Sequence, residues 1–282
     1  GKIFVIKTGG GAFRDTGTMR AFVEQVAILH HLGIRVVLVH GGGPQLDDVT
    51  AKLGVQTRMV QGRRVTDASA IDATSMVLNG LINTQLVALC RSFGISAIGI
   101  GGIDGGLVQA HRRAPVTLAS GEVVDYGLVG DIDGIDGSVI TRLLDSGFLP
   151  VVSPLSCDNS GQLLNINADT VAAAIGGALV AEKLILCTGA PGILERVDDP
   201  QSLISYTDLA GLHRLREKGA ITDGMLPKSS AIEAAIRGGV RRVHVISYAE
   251  TDSLLAEIFT NEGKGTLVVA DTKALTAAEQ GQ

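Results

Sequence analysis

Apolar runs of strand length alternate with helical patterns along nearly the whole chain, and this rhythm restricts the fold more than any other feature. Strands are expected at Ile3 to Thr8, Val36 to His40, Ala97 to Ile100, Leu149 to Ser153, Lys183 to Thr188, Arg242 to Ile246 and Thr266 to Ala270. The segments between them carry helix punctuation. Gly33, Gly54 and Gly94 are stop signals, Pro44 opens a helix, and Asp67 can cap a long one reaching Phe93. Further helices are expected over Ala168 to Val180, Leu209 to Lys218, Met225 to Arg237 and Asp252 to Phe259. Strands alternating with helices specify an α/β fold, with a mostly parallel sheet covered by helices on both faces. The composition agrees. With 45% hydrophobic residues, 3% aromatics and no Trp, the core must come from Val, Ile, Leu and Ala, which suit a sheet buried on both sides. Gly105 to Tyr126 is short, polar-alternating and broken by Pro115 and Gly121, which predicts a small β-hairpin region over one edge. No linker interrupts the 282 residues, so they read as one continuous domain of two lobes, 1–160 and 161–282, meeting near Asn159 to Leu163.

A net charge of −5 with scattered basic residues excludes a nucleic-acid partner held by general electrostatics. Cys90, Cys157 and Cys187 lie far apart and outside any C-x-x-C spacing, so reduced thiols in a cytoplasmic protein are expected and no metal site is. No apolar run approaches the roughly 18 residues that span a bilayer, and no membrane association is expected. Lys2 leads straight into a strand-like run, so no signal peptide is expected either.

Ligands of open α/β sheets sit beyond the carboxyl ends of the strands. Two strand ends here carry three consecutive glycines, Lys7-Thr8-Gly9-Gly10-Gly11 and His40-Gly41-Gly42-Gly43-Pro44. Such runs let backbone N–H groups converge into an anion cradle, and the helix opened by Pro44 adds its positive end. Lys7 closes an apolar strand and should project into the same crevice. One glycine turn is ambiguous; two on adjacent strands with a strand-end lysine favour phosphate binding. Neither matches G-x-x-x-x-G-K-[ST] or G-x-G-x-x-G, which disfavours a P-loop NTPase and a Rossmann dehydrogenase. Farther on, Asn165-Ile166-Asn167-Ala168-Asp169 precedes an Ala- and Gly-rich helix, and alone Asn167 or Asp169 reads as its cap. Lys228 sits in the first turn of a helix, where the dipole disfavours a cation unless a polyphosphate faces it. Arg63-Arg64 precedes another helix and can grip a carboxylate through two parallel bonds, or can be solvated.

In order and spacing these stretches resemble acetylglutamate kinases of the amino-acid-kinase superfamily, from Ile3 to Val269. The resemblance rests on Lys7 to Gly10, His40 to Pro44, Arg64 to Asp67, Asp104 to Gly106, Gly127 to Asp131, Asn165 to Asp169, Thr188 to Leu194 and Thr222 to Lys228. It implies a three-layer αβα sandwich in which the first lobe holds the acyl-amino acid and dimerises, and the second holds the nucleotide. It implies transfer of phosphate from ATP to the side-chain carboxylate of N-acetyl-L-glutamate, with Mg2+ bound through the nucleotide phosphates, by a homodimer or larger homo-oligomer. By position, Lys7 and Lys228 would stabilise the transferring phosphoryl group and Asp169 would hold the two lysines. Gly42, Gly43, Arg64 and Asn165 would bind acetylglutamate, with Arg64 on its α-carboxylate. Gly10, Gly11, Thr188, Gly189, Gly192, Ile193, Leu194, Thr222, Gly224 and Met225 would bind the nucleotide. The chain departs from the family at Gly189, where Asp is usual, and at Gly80-Leu81-Ile82-Asn83-Thr84, which lacks two lysines. Asp252 stands where arginine-inhibited members carry His, so arginine feedback is not expected. A sister kinase acting on another carboxylate, or a weakly catalytic amino-acid-binding regulatory module, remain the alternatives.

Overall fold

A computed structural model describes residues 1–118, 120–196, 198–221, 224–260 and 263–274. The seven expected strands, joined by an unexpected short edge strand at Tyr206–Asp208, form one eight-stranded sheet among the described residues. In chain order they are β1 (Ile3–Thr8), β2 (Arg35–His40), β3 (Ala97–Gly101), β4 (Leu149–Ser153), β5 (Lys183–Thr188), β6 (Tyr206–Asp208), β7 (Arg242–Ser247) and β8 (Thr266–Val269). Their spatial order is β6-β8-β7-β5-β1-β2-β4-β3, parallel throughout except where β8 runs against β7. β1 lies at the centre, flanked by β2 from the first half of the chain and β5 from the second. The carboxyl ends of these three strands are the topological switch point at which such sheets bind ligands.

Helices α1 (Thr16–His31), α2 (Gly43–Lys52), α3 (Ala68–Ser92), α4 (Gly137–Asp145), α5 (Ala168–Ala178), α6 (Leu209–Glu217), α7 (Leu226–Arg237) and α8 (Ser253–Phe259) cover both faces. The two-residue period of the strands divides the core into two clusters. Val5, Val37, Val39, Leu184 and Val243 face α5, α6 and α7, whereas Phe4, Ile6, Val36, Leu38 and Ile185 face α1, α3 and α8. Each such fully buried side chain contributes about 1.5–3 kcal/mol. The two layers explain why the strands read as continuous apolar runs rather than alternating ones.

Local punctuation works as the sequence implies. Asp15 caps α1 and Gly33 adopts φ 84° just after its end. Asp67 accepts from the Ala70 N–H to cap α3, and Asn167 caps α5. The segment after Gly105 forms more than a hairpin. Val116–Thr117 pairs with Val123–Val124, but Val108–Arg112 joins a second, four-stranded sheet with Gly130–Ile135, Leu155–Cys157 and Leu163–Asn165. The expected lobe boundary at 159–163 falls in the turn between the last two of those strands. The hairpin Arg58–Val60/Arg63–Val65 and the helix α4 are additions to the sequence reading. The hairpin turns through Gln61 and Gly62, both at positive φ (47° and 73°), as a tight two-residue turn requires.

α3 is long and apolar enough by composition to cross a membrane, yet Ala73, Val77, Leu78, Ile82 and Leu86 pack into the second core cluster. It is a core helix of the sandwich. Residues Met76–Asn83 widen into π-helical turns, a local irregularity often found beside functional sites.

Candidate active site

Residues Thr8 and His40 are register partners on β1 and β2, so the two glycine runs leave the sheet side by side. They touch: a Cβ on Gly10 would stand 2.9 Å from Gly42 Cα and 2.8 Å from Pro44 Cδ. Gln45, from the first turn of α2, donates to the Gly10 carbonyl at 2.8 Å and ties the runs together. Behind the second run, the widened turns of α3 press Leu78 and Ile82 onto Gly42, where a Cβ would stand 2.7 Å from Leu78 Cδ2. Any larger residue there would have to push these two buried side chains aside. His40 is fully buried, and burial lowers its pKa to about 4, so the ring is neutral at pH 7. Its Nδ1 donates to the Gly41 carbonyl at 3.1 Å, which leaves Nε2 to accept from Asn83 Nδ2 at 3.2 Å. Asn83 Nδ2 also donates to the Val151 carbonyl on β4 at 2.9 Å. A buried chain of polar groups thus anchors the second glycine run to the sheet.

Lys7 shares the strand face of Val5, toward α5 and α7. Small residues on those helices, including Ala172, Gly176, Ala231 and Ala235, let them lie close together. Asp169, in the first turn of α5, can therefore meet both Lys7 and Lys228. Lys7 Nζ lies 2.8 Å from Asp169 Oδ1, and Lys228 Nζ lies 3.0 Å from each carboxylate oxygen. The three residues are only 7%, 7% and 8% exposed. Burial opposes ionisation of Asp169, but the adjacent ammonium groups of Lys7 and Lys228 outweigh it and hold the carboxyl far below its usual range. Burial, then the charge of Lys7, pulls the Lys228 pKa down, against the attraction of Asp169. Cys187 lies beside the cluster, and burial pushes its thiol up to about 12, so it adds no charge at pH 7. Two buried cations share one anion, and the excess positive charge is costly until another anion arrives.

That cluster forms one wall of a cavity of ≈ 240 Å³. Lys7, Gly10, Gly42, Gly43, Arg64, Asn165 and Asp169 all line it, so the sequence-derived acceptor residues and much of the catalytic set converge on one space. Lys228 joins them through Asp169. Arg64 arrives on the hairpin Arg58–Val65, with its side chain 8% exposed and Nη2 2.6 Å from Asp47 Oδ1. Its Nη1 is buried with no partner among the described residues. Such an orphan donor costs about 1–3 kcal/mol, and an anionic ligand group would relieve it. Asn165 donates to Thr66 Oγ1 at 3.2 Å, which fixes its amide at the cavity wall. Leu46, Met59, Leu78, Val129 and Ile166 supply apolar surface, and Arg63 adds to the wall. The sequence analysis missed this hairpin, for which the Gln61-Gly62 turn is the one available signal, and nothing in the sequence marked Asp47 or Asn83 as supports.

The residues expected to hold a nucleotide lie apart from this cavity, with the exception of Gly10. Thr188 ends β5, and Gly11 and Gly189 approach one another across the hydroxyl of Tyr248, a residue the sequence did not single out. Gly192 to Leu194 form a pinned turn. A Cβ on Gly192 would stand 2.6 Å from Leu203 Cδ1, Leu194 bridges Leu203, and Ile193 donates its N–H to Thr266 Oγ1 at 2.8 Å. The Ile193 carbonyl accepts from Ile204, and its side chain is 1% exposed in the core. Ile193 therefore anchors the turn rather than offering a free group to a ligand. Gly224 is open, Met225 begins α7 beside the core, and Thr222 lies outside the described residues.

The glycine cradles, the surplus cation and the orphan guanidinium suit a polyanion next to a carboxylate. Comparisons with known proteins agree in kind. Residues 2–247 match the amino acid kinase family. The chain is 44% identical to an acetylglutamate kinase of Myxococcus xanthus, over 99% of this chain and 92% of that one. An acetylglutamate kinase of Archaeoglobus fulgidus is 41% identical, over 94% and 92%. Among solved structures, N-acetylglutamate synthase from Neisseria gonorrhoeae, complexed with coenzyme A and N-acetyl-glutamate, is similar with a TM-score of 0.82 and 26% identity. That likeness covers 96% of this chain and 60% of the synthase. Carbamate kinase from Giardia lamblia bound to AMP-PNP shares the fold, with a TM-score of 0.67 and 19% identity over 96% and 99% of the chains. The chain belongs to the amino acid kinase family.

Proposed function

We propose that this protein phosphorylates the side-chain carboxylate of N-acetyl-L-glutamate with ATP, forming N-acetyl-L-glutamyl 5-phosphate in arginine biosynthesis. The observation that carries the reading is the buried Lys7–Asp169–Lys228 cluster facing the Arg64 guanidinium across one cavity. The names of the relatives supply the acceptor.

Each part of the cavity then has a role. Arg64 takes the α-carboxylate through its unpartnered Nη1, and Asn165 with the Gly42 and Gly43 backbone positions the rest of the acceptor. This brings the side-chain carboxylate toward Lys7. A carboxylate oxygen forms a bond to the γ-phosphorus, the bond from that phosphorus to the bridging oxygen breaks, and ADP leaves with the electron pair. The nucleophile is already ionised at pH 7, so no general base is required. Catalysis then consists of alignment and charge neutralisation, which Lys7, Lys228 and the Gly10 N–H provide. Asp169 keeps the two lysines from repelling each other and has no free oxygen to spare. Mg2+ bound on the nucleotide phosphates supplies further neutralisation of the transferring group.

Residues 1–160 provide most of the acceptor pocket and residues 161–282 most of the nucleotide surface. Reduced Cys90, Cys157 and Cys187 fit a cytoplasmic enzyme; disulfide-linked chains in freshly lysed cells would count against that. On α3, Met76 is 61% and Leu81 40% exposed, which suits burial in a homodimer or larger assembly. A monomeric mass at micromolar concentration in sedimentation would oppose it.

The test is acyl-phosphate formation trapped with hydroxylamine, across N-acetylglutamate, glutamate, aspartate, aminoadipate and carbamate. Strong turnover with N-acetylglutamate alone is expected. Preference for another of the five would assign a sister kinase, and silence on all five with retained ligand binding would leave a regulatory module.

A further inference from the structure

The nucleotide side carries one fixed polar side chain that the functional reading has not used. Tyr248 directly follows β7. Its N–H donates to the Thr188 carbonyl at 2.9 Å, which ties it to the end of β5. Its ring packs against the core cluster containing Ile6, Cys187 and Ile246. The hydroxyl therefore has a defined place. It lies against Gly11, where a Cβ would overlap it, and 3.2 Å from where a Cβ on Gly189 would stand. Two glycines flank this hydroxyl at the carboxyl ends of β1 and β5, and Tyr248 is half-buried. No described residue makes a hydrogen bond to it.

We propose that the Tyr248 hydroxyl donates a hydrogen bond to a phosphate oxygen of the bound nucleotide. The inference rests on the kinase reading for the presence of a nucleotide, but not on the identity of the acceptor. A phosphate chain reaching from the lysine cluster along Gly9 to Gly11 toward Thr188 passes the two loops, at Gly11 and Gly189, that flank this phenol. The residues after β5, Gly189-Ala190-Pro191-Gly192, offer no side-chain donor or acceptor of their own. Tyr248 supplies one from the neighbouring strand end. The arrangement also accounts for glycine at both flanking positions, since a side chain at Gly11 would occupy the hydroxyl's place. A phenol anchored by its ring and backbone loses little freedom when it engages a ligand, so the bond is preorganised.

Tyr248→Phe keeps the ring and removes only the donor. Calorimetric titration of the purified full chain with MgAMP-PNP, and separately with N-acetylglutamate, reads both ligands without turnover. A hydrogen bond to a charged oxygen predicts a nucleotide Kd raised about tenfold or more. The acceptor Kd should stay within about twofold and the melting temperature within a few degrees. A nucleotide Kd unchanged in Tyr248→Phe but raised in Tyr248→Ala would overturn the proposal and leave the ring as the contact. Equal weakening of both ligands with a lowered melting temperature would also overturn it, making Tyr248 a support of the fold. If the unmodified protein binds no N-acetylglutamate yet Tyr248→Phe still loses nucleotide, the acceptor assignment fails and the role of Tyr248 stands.

Discussion

The proposed acceptor side and the proposed nucleotide side of this molecule are built differently. On the acceptor side, residues from β1, α2, the hairpin Arg58–Val65 and α5 enclose a cavity whose charged groups are nearly all buried and cross-linked. On the nucleotide side, Gly11 and Gly189 flank the Tyr248 hydroxyl, Gly224 is open, and Gly192 is packed against Leu203 and Thr266. A cavity lined by buried charged groups can discriminate a small dicarboxylate, because any unmatched buried donor carries a cost. An open, glycine-lined edge suits a larger ligand that is exchanged at each turnover and held through its phosphates. Under the proposed function, specificity falls to the first region and nucleotide exchange to the second.

Substitutions should therefore have unequal effects. Asp169→Ala leaves Lys7 and Lys228 buried without their shared anion, and should cost about 3–5 kcal/mol of stability. Chemical denaturation measures this, and a loss under 1 kcal/mol would mean the cluster is not desolvated. Next, Arg64→Lys keeps the charge but cannot reproduce the planar fork that reaches Asp47 while presenting Nη1. The acceptor KM should rise about 10–100-fold while the ATP KM holds steady; a parallel rise in both would break the separation between the two regions. Asn83→Leu removes the anchor of His40 and Val151, and a cost of about 1–3 kcal/mol is expected, with a smaller fall in kcat. Unaltered stability would show that the second glycine run needs no support from behind.

The smallest effect concerns pH. The lysines depress the Asp169 pKa in the folded protein. Its contribution to stability is therefore fully present above the unfolded carboxyl pKa of about 3.9, and is lost only as pH falls from there toward the lower folded value. His40, with a folded pKa of about 4, is already neutral throughout the neutral range. Between about pH 6 and 8 neither of these groups titrates in the folded protein, so neither should bend kcat there; a fall on the alkaline side would report Lys228, whose pKa burial lowers. A limb near pH 6.5 would point to a histidine acting in the reaction.

The two regions were also unequally legible in the sequence. β1, β2, β5 and β7 were readable because strands buried on both faces leave continuous apolar runs, and Asp67 and Gly33 marked helix ends by their own chemistry. Lys7 was readable as a strand-end lysine beside the glycine runs, whereas Arg64, Asn165 and Asp169 were joined to it only through the resemblance. The shared salt bridge of Asp169 was expected only through resemblance; by itself its position at a helix start looked like a cap, a role that Asn167 performs. The widened turns of α3 left no periodic trace, so the seating of Leu78 and Ile82 on Gly42 was invisible. Tyr248 was missed because its partners are glycines distant in sequence, and contact with a missing side chain leaves no pattern.

The central claim is that Lys228 stabilises charge in the transition state rather than binding substrates. Steady-state kinetics of Lys228→Ala with both substrates varied tests it most directly. The account predicts a fall in kcat of about 10²–10³-fold with KM values changed only a few-fold. A kcat near that of the unmodified enzyme, with the loss confined to KM, would contradict it.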